Sequence, residues 1–174
     1  VVAKSVSLGK LVGLVNCAGI LRRGDEYDID VFQRVIDVNL VGTMRCCLAA
    51  QPLLANSKGS IVNMASMLST FGGPLVPAYS ASKGGVSQLT KALAGQWAES
   101  GIRVNAIAPG WIETEMTQGL RDNPERAEGI MARTPMKRWG KTSEVGALVR
   151  WLLSDEASFV TGSVYPVDGG YLAM

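Results

Sequence analysis

Residues 66–83 read SMLSTFGGPLVPAYSASK and join the end of a predicted strand to the start of a predicted helix. The apolar residues that follow recur at steps of three and four, which is helical spacing: Val86, Leu89, Leu93 and Trp97. This pattern predicts a helix from Ala78 to about Glu99. A four-residue separation places Tyr79 and Lys83 on the same face of that helix.

A tyrosine and a lysine on one helix face suit an acid–base pair. A free phenol has a pKa of about 10 and is a poor base at neutral pH. A nearby ammonium favours the phenolate, and lowering the phenol pKa to about 7 needs roughly 4 kcal/mol of differential interaction. The loop of residues 67–77 can bring Ser66 beside Tyr79, where its hydroxyl would hold the oxygen that gains or loses the proton. The alternative is a helix start with a half-buried tyrosine and a solvated lysine.

Several motifs in this order resemble the short-chain dehydrogenase/reductase family, and together they cover essentially all 174 residues. They are Asn16 to Gly19 (NCAG), Gly59 to Ser66 (GSIVNMAS), Tyr79 to Lys83 (YSASK), Arg103 to Gly110 (RVNAIAPG) and Val167 to Gly170 (VDGG). The resemblance implies an α/β fold with a Rossmann-like, doubly wound parallel sheet. Residues 1–174 would then be the C-terminal, catalytic part of a single domain.

The family resemblance assigns roles to four residues. Tyr79 would be the general acid/base, Lys83 would lower the tyrosine pKa and hold the nicotinamide ribose, and Ser66 would bind the substrate oxygen. Asn39 would anchor a water molecule in a proton relay; the alternative is a satisfied core amide that bridges to a strand. Three other serines lie nearby, but only Ser66 ends a strand and has the family spacing to the tyrosine: Ser69, Ser80 and Ser82.

Short apolar runs predict strands at residues 11–15, 60–65 and 102–108, with a last strand and tail in residues 160–170. Ligands of such sheets bind beyond the carboxyl ends of the strands. The residues predicted to contact an NAD or NADP cofactor are Asn16, Ala18, Gly19, Tyr79, Lys83, Pro109, Gly110, Ile112 and Thr114. For Asn16, Ala18 and Gly19, and also for Pro109 and Gly110, the alternative is a plain turn after a strand. Cys17 replaces the second asparagine of the family motif and is expected to be small, buried and unreactive.

Helical spacing also predicts a long helix from Asp28 to about Ala55 and a shorter one over residues 143–153, with Ser143 as its N-cap. Residues 115–139 show no clean period and contain several methionines, which predicts a mobile substrate lid or ordinary gap filling. The family packs the helices that contain Asn39 and Tyr79 against a second subunit, so the resemblance implies a homotetramer or homodimer.

Composition excludes several classes of function. Apolar residues make up 47% of the chain and charged residues 18%, which is the balance of a globular protein. The net charge of +2, without runs of like charge, disfavours nucleic acid and anionic membranes as partners. No apolar stretch is expected to reach membrane-spanning length. Three cysteines and no histidine disfavour both a disulfide framework and a metal site, so we expect a cytoplasmic protein.

The glycine-rich turn with which the family binds the cofactor pyrophosphate does not precede Leu11, and residues 1–9 predict a helix end or loop. We therefore expect this chain to be part of a longer protein, and to bind a dinucleotide poorly by itself. The residues that distinguish NAD from NADP would lie in the other part.

Two functions follow. The first is an NAD(P)-dependent oxidoreductase that interconverts a secondary alcohol and a ketone, acting on a 3-oxoacyl thioester or on a polyol or sugar acid. The second is a non-catalytic oligomerising or binding protein that retains the scaffold without a cofactor-binding half.

Overall fold

A computed structural model describes residues 9–174, so the helix end or loop predicted for Val1 to Gly9 lies almost entirely outside the described residues. The fold is α/β, with four parallel strands in the order in which they occur in the chain. The strands are β1 (Gly13–Asn16), β2 (Ser60–Met64), β3 (Arg103–Pro109) and β4 (Val164–Val167). The α-helices are α1 (Ile29–Ile36), α2 (Gly42–Ser57), α3 (Pro77–Trp97), α4 (Glu115–Arg121), α5 (Pro124–Arg133) and α6 (Thr142–Leu153).

Side chains of the two central strands alternate between two apolar cores. On one face, Ile61 and Val104 pack in a cluster with residues of α2 and α3. On the other face, Val62 and Ile107 pack against Leu152 of α6. Because helices cover both faces, the two central strands are buried on both sides, and the predicted doubly wound parallel sheet is confirmed.

One helical run connects β1 to β2, close to the predicted bounds. The side chain of Asp28 caps its start by accepting the backbone N–H groups of Asp30 and Val31, at 2.9 and 3.1 Å. The run is continuous but changes to a π-helical turn at Asp37–Val41, between α1 and α2. Single π turns in α-helices occur often at functional sites, and this one contains Asn39.

The same run, Ile29–Ser57, has a hydropathy of 1.2 and is long enough to span a membrane by length and composition alone. The expectation that no stretch reaches this length is therefore wrong. In this fold one side of the run lies against the sheet, where Val35, Cys47 and Leu54 are fully buried, and 28% of its most apolar 18-residue window is buried. One such helix is weak evidence for a membrane span, because core helices of soluble proteins pass the same test of length and composition.

Residues 115–139 show no clean period in the sequence, but they form the two helices α4 and α5. The turn between them is organised by Asn123, whose side chain accepts the backbone N–H of Arg126 at 3.0 Å. A role of this segment as a mobile substrate lid stays a prediction. The N-cap of α6 also lies two positions earlier than predicted. Lys141 occupies it instead of Ser143, and the carboxylate of Glu144 accepts the backbone N–H of Lys141 at 2.7 Å.

Two glycines offer a matched test of packing. A Cβ at Gly59 would lie 2.6 Å from the carbonyl oxygen of Val12 and 2.6 Å from a methyl group of Leu54, whereas a Cβ at Gly95 in α3 has nothing within 4 Å. We expect Gly59→Ala to lower the free energy of unfolding by about 1–3 kcal/mol, because backbone must move. Gly95→Ala should raise it by up to about 1 kcal/mol, through helix propensity. Urea unfolding measures the free energy of unfolding of both variants. Equal changes for the two would contradict the close packing around Gly59.

Candidate active site

A cavity of about 280 Å³ opens where the carboxyl ends of the strands meet. It is lined by three of the four predicted catalytic residues: Ser66, Tyr79 and Lys83. Five further residues predicted to contact the cofactor also line it: Gly19, Pro109, Gly110, Ile112 and Thr114. Residues that lie as much as 95 positions apart, from Gly19 to Thr114, thus converge on one space. Asn39, Asn16 and Ala18 lie outside its lining.

Ser66 ends the strand segment and begins a short 3-10 turn, Met67–Ser69. Its oxygen accepts the backbone N–H of Leu68 at 3.2 Å, and within residues 9–174 no carbonyl receives its hydroxyl hydrogen. The hydroxyls of the other nearby serines donate to backbone carbonyls. Ser69 donates to Lys83, Ser80 to Val76 and Ser82 to Tyr79, at 2.7–2.9 Å. Among these serines, only Ser66 lines the cavity, and within residues 9–174 its hydroxyl does not donate to a backbone carbonyl.

Tyr79 lies in the first turn of α3. Burial raises the pKa of its phenol above the ordinary value, the Ser66 hydroxyl partly offsets this by hydrogen bonding, and the Glu26 carboxylate adds to the rise. The expectation that Lys83 lowers this pKa is not met in this structure. The lysine Nζ lies 5.5 Å from the centroid of the tyrosine ring, over its face, and is not paired with the phenol oxygen. At neutral pH the phenol therefore carries its proton.

Lys83 is only 4% exposed, and its Nζ donates a hydrogen bond of 2.6 Å to the carbonyl oxygen of Met64 at the end of β2. Desolvation lowers the pKa of this amine to about 8, and Cys17 nearby acts weakly in the opposite direction. A lysine with this pKa is mostly protonated at neutral pH but loses its proton at mildly alkaline pH. The alternative of a solvated surface lysine is thereby excluded.

Asn39 is fully buried in the π turn and binds the chain segment that follows β1. Its Oδ1 accepts the Ile20 N–H at 2.8 Å, while its Nδ2 donates to the Ile20 carbonyl at 2.9 Å and to the Ser82 hydroxyl at 3.0 Å. Both amide hydrogens are therefore used by protein atoms. The geometry is that of a satisfied core amide that joins the β1 end to α3, and a water-anchoring role remains a prediction.

At the end of β1, the surroundings of Asn16, Ala18 and Cys17 differ from those predicted. The side chain of Asn16 points into the sheet, where its Nδ2 donates to Oδ1 of Asn63 at 2.9 Å, and Asn16 and Ala18 line a separate recess against the π turn and α2. Cys17 was expected to be buried, but it is exposed and lines the main cavity. Partial burial raises the pKa of its thiol, which is consistent with an unreactive cysteine.

The segment after β3 is held by a second short pairing. Ile112 forms a parallel bridge with Gly140, and the carbonyl oxygen of Ile112 accepts the hydroxyl of Thr117 at 2.6 Å. That carbonyl is therefore occupied. Thr114 begins α4 and presents its hydroxyl 3.4 Å from that of Thr117.

Sequence patterns did not predict Glu26, which is fully buried beside the site. One carboxylate oxygen accepts the backbone N–H of Arg22 at 2.9 Å, and the other accepts the backbone N–H of Tyr79 at 2.8 Å. A carboxylate at the first turn of α3 satisfies a free N–H group and interacts favourably with the helix dipole. Glu26 thus ties the loop after β1 to the backbone of Tyr79. It is 53 positions from Tyr79, and no local sequence signal indicates the contact.

The residues of the cavity fit one end of a nicotinamide cofactor. Met64, Ile112 and Met116 offer an apolar wall for a planar ring, and the hydroxyls of Ser66 and Thr114 and the amine of Lys83 offer polar groups along its edge. This combination of apolar wall and few polar groups is typical of cofactor sites.

The family model described as enoyl-(acyl carrier protein) reductase matches residues 1–172. The chain is 44% identical over 163 residues to 2-dehydro-3-deoxy-D-gluconate 5-dehydrogenase of Bacillus subtilis, which covers 92% of this chain and 64% of that protein. It is 44% identical over 169 residues to a 3-oxoacyl-[acyl-carrier-protein] reductase of Thermotoga maritima, covering 93% of this chain and 66% of the relative. This chain thus spans less than two thirds of the length of these curated relatives.

Among solved structures, the fold matches a gluconate 5-dehydrogenase from Burkholderia cenocepacia J2315, in complex with NADP and tartrate, with a TM-score of 0.95. The sequence identity is 33%, and the match covers 99% of this chain and 69% of that one.

The buried amine of Lys83 makes a stability prediction with a definite sign. Its pKa is lowered from 10.5 to about 8 in the folded protein, so between these values the unfolded chain binds more protons and the free energy of unfolding rises with pH. Below pH 8 the full cost of the buried charge remains. We expect Lys83→Met to stabilise the fold at pH 7 by up to about 3 kcal/mol, and this gain to vanish towards pH 10.5.

Urea unfolding at several pH values between 7 and 10.5 measures this difference. Lys91→Met, which removes an exposed lysine from the same helix, is the control. A methionine variant at position 83 with a pH-independent difference from the parent protein would show that the amine is not buried in its charged form.

Proposed function

The chain belongs to the short-chain dehydrogenase/reductase family, and we propose that it carries the catalytic site of an NAD(P)-dependent oxidoreductase that interconverts a secondary alcohol and a ketone. One observation carries this proposal: Ser66, Tyr79 and Lys83 line a single cavity at the strand ends, together with residues suited to a nicotinamide ring. The whole protein's substrate is a sugar acid or polyol, or a 3-oxoacyl thioester, as the names of its relatives suggest.

A bound nicotinamide cofactor would supply or accept the hydride. The cavity residues Gly19, Lys83, Pro109, Ile112 and Thr114 would hold it. The protein's own contribution is to place the substrate oxygen and its proton. The hydroxyl of Ser66, which is within hydrogen-bond reach of Tyr79, donates to the substrate oxygen in this proposal and so orients it towards Tyr79.

Tyr79 is the proton donor when a ketone is reduced. Its raised pKa keeps the phenol protonated at neutral pH, so the group is in the form that a general acid needs. Lys83 lies next to the tyrosine ring with its Nζ on the carbonyl oxygen of Met64, and its role in this proposal is to hold the nicotinamide ribose rather than to pair with the phenol oxygen. Glu26 keeps the tyrosine backbone in place, so that the phenol does not move away from the substrate.

We propose in addition that the protein is a homotetramer or homodimer located in the cytoplasm. Leu48 of α2 is 53% exposed and Val41 of the preceding π turn is 36% exposed, which leaves apolar surface on the helical run that the family uses between subunits. The three cysteines are free thiols, as is usual for a reducing compartment.

The first test is a titration of the native protein with NADH and with NADPH, followed by nicotinamide fluorescence and then by a screen of ketones and alcohols. We expect Tyr79→Phe to lower kcat by roughly a hundredfold or more, because the general acid is lost, while cofactor affinity stays unchanged. Tyr165→Phe, on β4 and outside the cavity, should keep full activity. Normal turnover by Tyr79→Phe would refute the mechanism. A native protein that binds neither cofactor would instead favour a non-catalytic binding role.

Light scattering tests the oligomer. We expect Leu48→Glu to give species of lower mass than the unmodified protein, because a charge in an apolar interface must be desolvated on association. Leu75→Glu introduces the same charge at an exposed apolar residue in the loop before α3, and should leave the mass unchanged. Identical masses for Leu48→Glu and the unmodified protein would exclude this part of α2 from an interface.

A further inference from the structure

A second recess, of about 330 Å³, adjoins the catalytic residues. We call it the arginine recess and define it by Arg23, Arg126, Arg133, Trp111, Ile130 and Tyr171. Two of these residues, Arg23 and Trp111, also line the smaller cavity that contains Ser66 and Tyr79. The recess is therefore next to the position of the substrate oxygen, on the side formed by α4 and α5.

The recess concentrates positive charge without neutralising it. Its three arginines come from two separate segments, the loop after β1 and helix α5, and no acidic residue lines it in the described part of the chain. The ion pairs found within residues 9–174 involve Arg45 and Arg138 and none of these three. The guanidinium groups therefore have no carboxylate partner of the protein's own within these residues.

The charged residues of helix α5 are arranged so that only the positive ones face the recess. Arg126 and Arg133 lie seven residues apart, so they occupy the same face two turns apart, and the intervening positions of that face, Gly129 and Ile130, also line the recess. The acidic residues of the helix, Glu125 and Glu128, do not line the recess and lie on other faces. The helix thus separates its charges and directs only the positive ones towards the recess.

Aromatic contacts hold one of the arginines in place. The guanidinium carbon of Arg133 lies 4.5 Å from the ring centroid of Tyr171, a buried residue whose ring contacts Trp111 edge-on at 6.3 Å. Stacking on an aromatic ring orients a guanidinium and leaves its hydrogen-bond donors available. The end of α5 is fixed by Thr134, whose hydroxyl donates to the carbonyl of Ile130 at 2.8 Å.

We infer that the arginine recess binds an anionic group of the substrate, a carboxylate or a phosphate, that is remote from the carbon undergoing reaction. Guanidinium groups match the geometry of both anions with paired hydrogen bonds. This inference rests on the proposed oxidoreductase function and specifies its substrates: ketones and alcohols with a negative charge beyond the reacting group. A carboxylate would belong to a small polyhydroxy acid, and a phosphate to the carrier of a 3-oxoacyl thioester.

The test compares substrates that differ in charge. D-gluconate carries a carboxylate, D-glucitol is a neutral polyol with the same number of carbon atoms, and acetoacetyl-coenzyme A carries phosphates. We expect Arg126→Gln and Arg133→Gln each to lower kcat/KM by about tenfold or more for whichever of the two charged substrates the protein turns over, D-gluconate or acetoacetyl-coenzyme A. The value of kcat/KM for D-glucitol should change little. Arg150→Gln, an exposed arginine of α6 outside the recess, is the matched control.

Calorimetry supplies a readout that does not need turnover. The unmodified protein should bind D-gluconate or inorganic phosphate, and the double variant Arg126→Gln/Arg133→Gln should lose this binding while thermal unfolding shows that it remains folded, because both arginines are exposed. Arginine dependence confined to D-gluconate would identify a carboxylate as the ligand, and dependence confined to acetoacetyl-coenzyme A would identify a phosphate.

Equal losses for charged and neutral substrates, or anion binding that survives in the double variant, would overturn the inference. A protein that turns over no alcohol or ketone, but binds these anions through the same arginines, would refute the proposed function and leave the recess as an anion site.

Discussion

The parallel register of the sheet is the constraint on which the site depends. Asn16, Asn63, Ala106 and Val164 lie side by side in one row across the four strands. Because the strands run in the same direction, their carboxyl ends reach the same edge, and the chain leaves each strand for a helix or loop at that edge. Ser66, Gly19 and Gly110 are brought together by this arrangement, although the sequence separates them widely.

Buried polar side chains then fix the positions of the residues at this edge of the sheet. Lys83 is bound to the carbonyl of Met64, Asn39 to both backbone groups of Ile20, and Glu26 to the N–H groups of Arg22 and Tyr79. Each of these side chains satisfies backbone groups that would otherwise be costly to bury. Lys83 differs from the other two in its contribution to stability, because desolvation of its amine opposes folding at neutral pH. A charge retained at such a cost is typical of a residue that serves function rather than stability.

Local patterns predicted the elements with strong periodicity. The bounds of α3 are within two residues of those predicted, and the strands fall where short apolar runs end in small residues. The prediction was weaker at residues 115–139, where α4 and α5 are short and their only strong local signal is the Asn123–Pro124 pair. The N-cap of α6 also differed, because the carboxylate of Glu144 bonds the backbone of Lys141 and so begins the helix before Ser143.

The sequence by itself determined the helix face that carries Tyr79 and Lys83, because this depends on spacing within a few turns. The fold class followed from the resemblance of its motifs to a known family. Only the tertiary structure decided the rest. The raised pKa of Tyr79, the convergence of three arginines on one recess and the contact from Glu26 all depend on burial or on groups tens of residues away. These features arise from distances in space and from the exclusion of water, and the local order of residues determines neither.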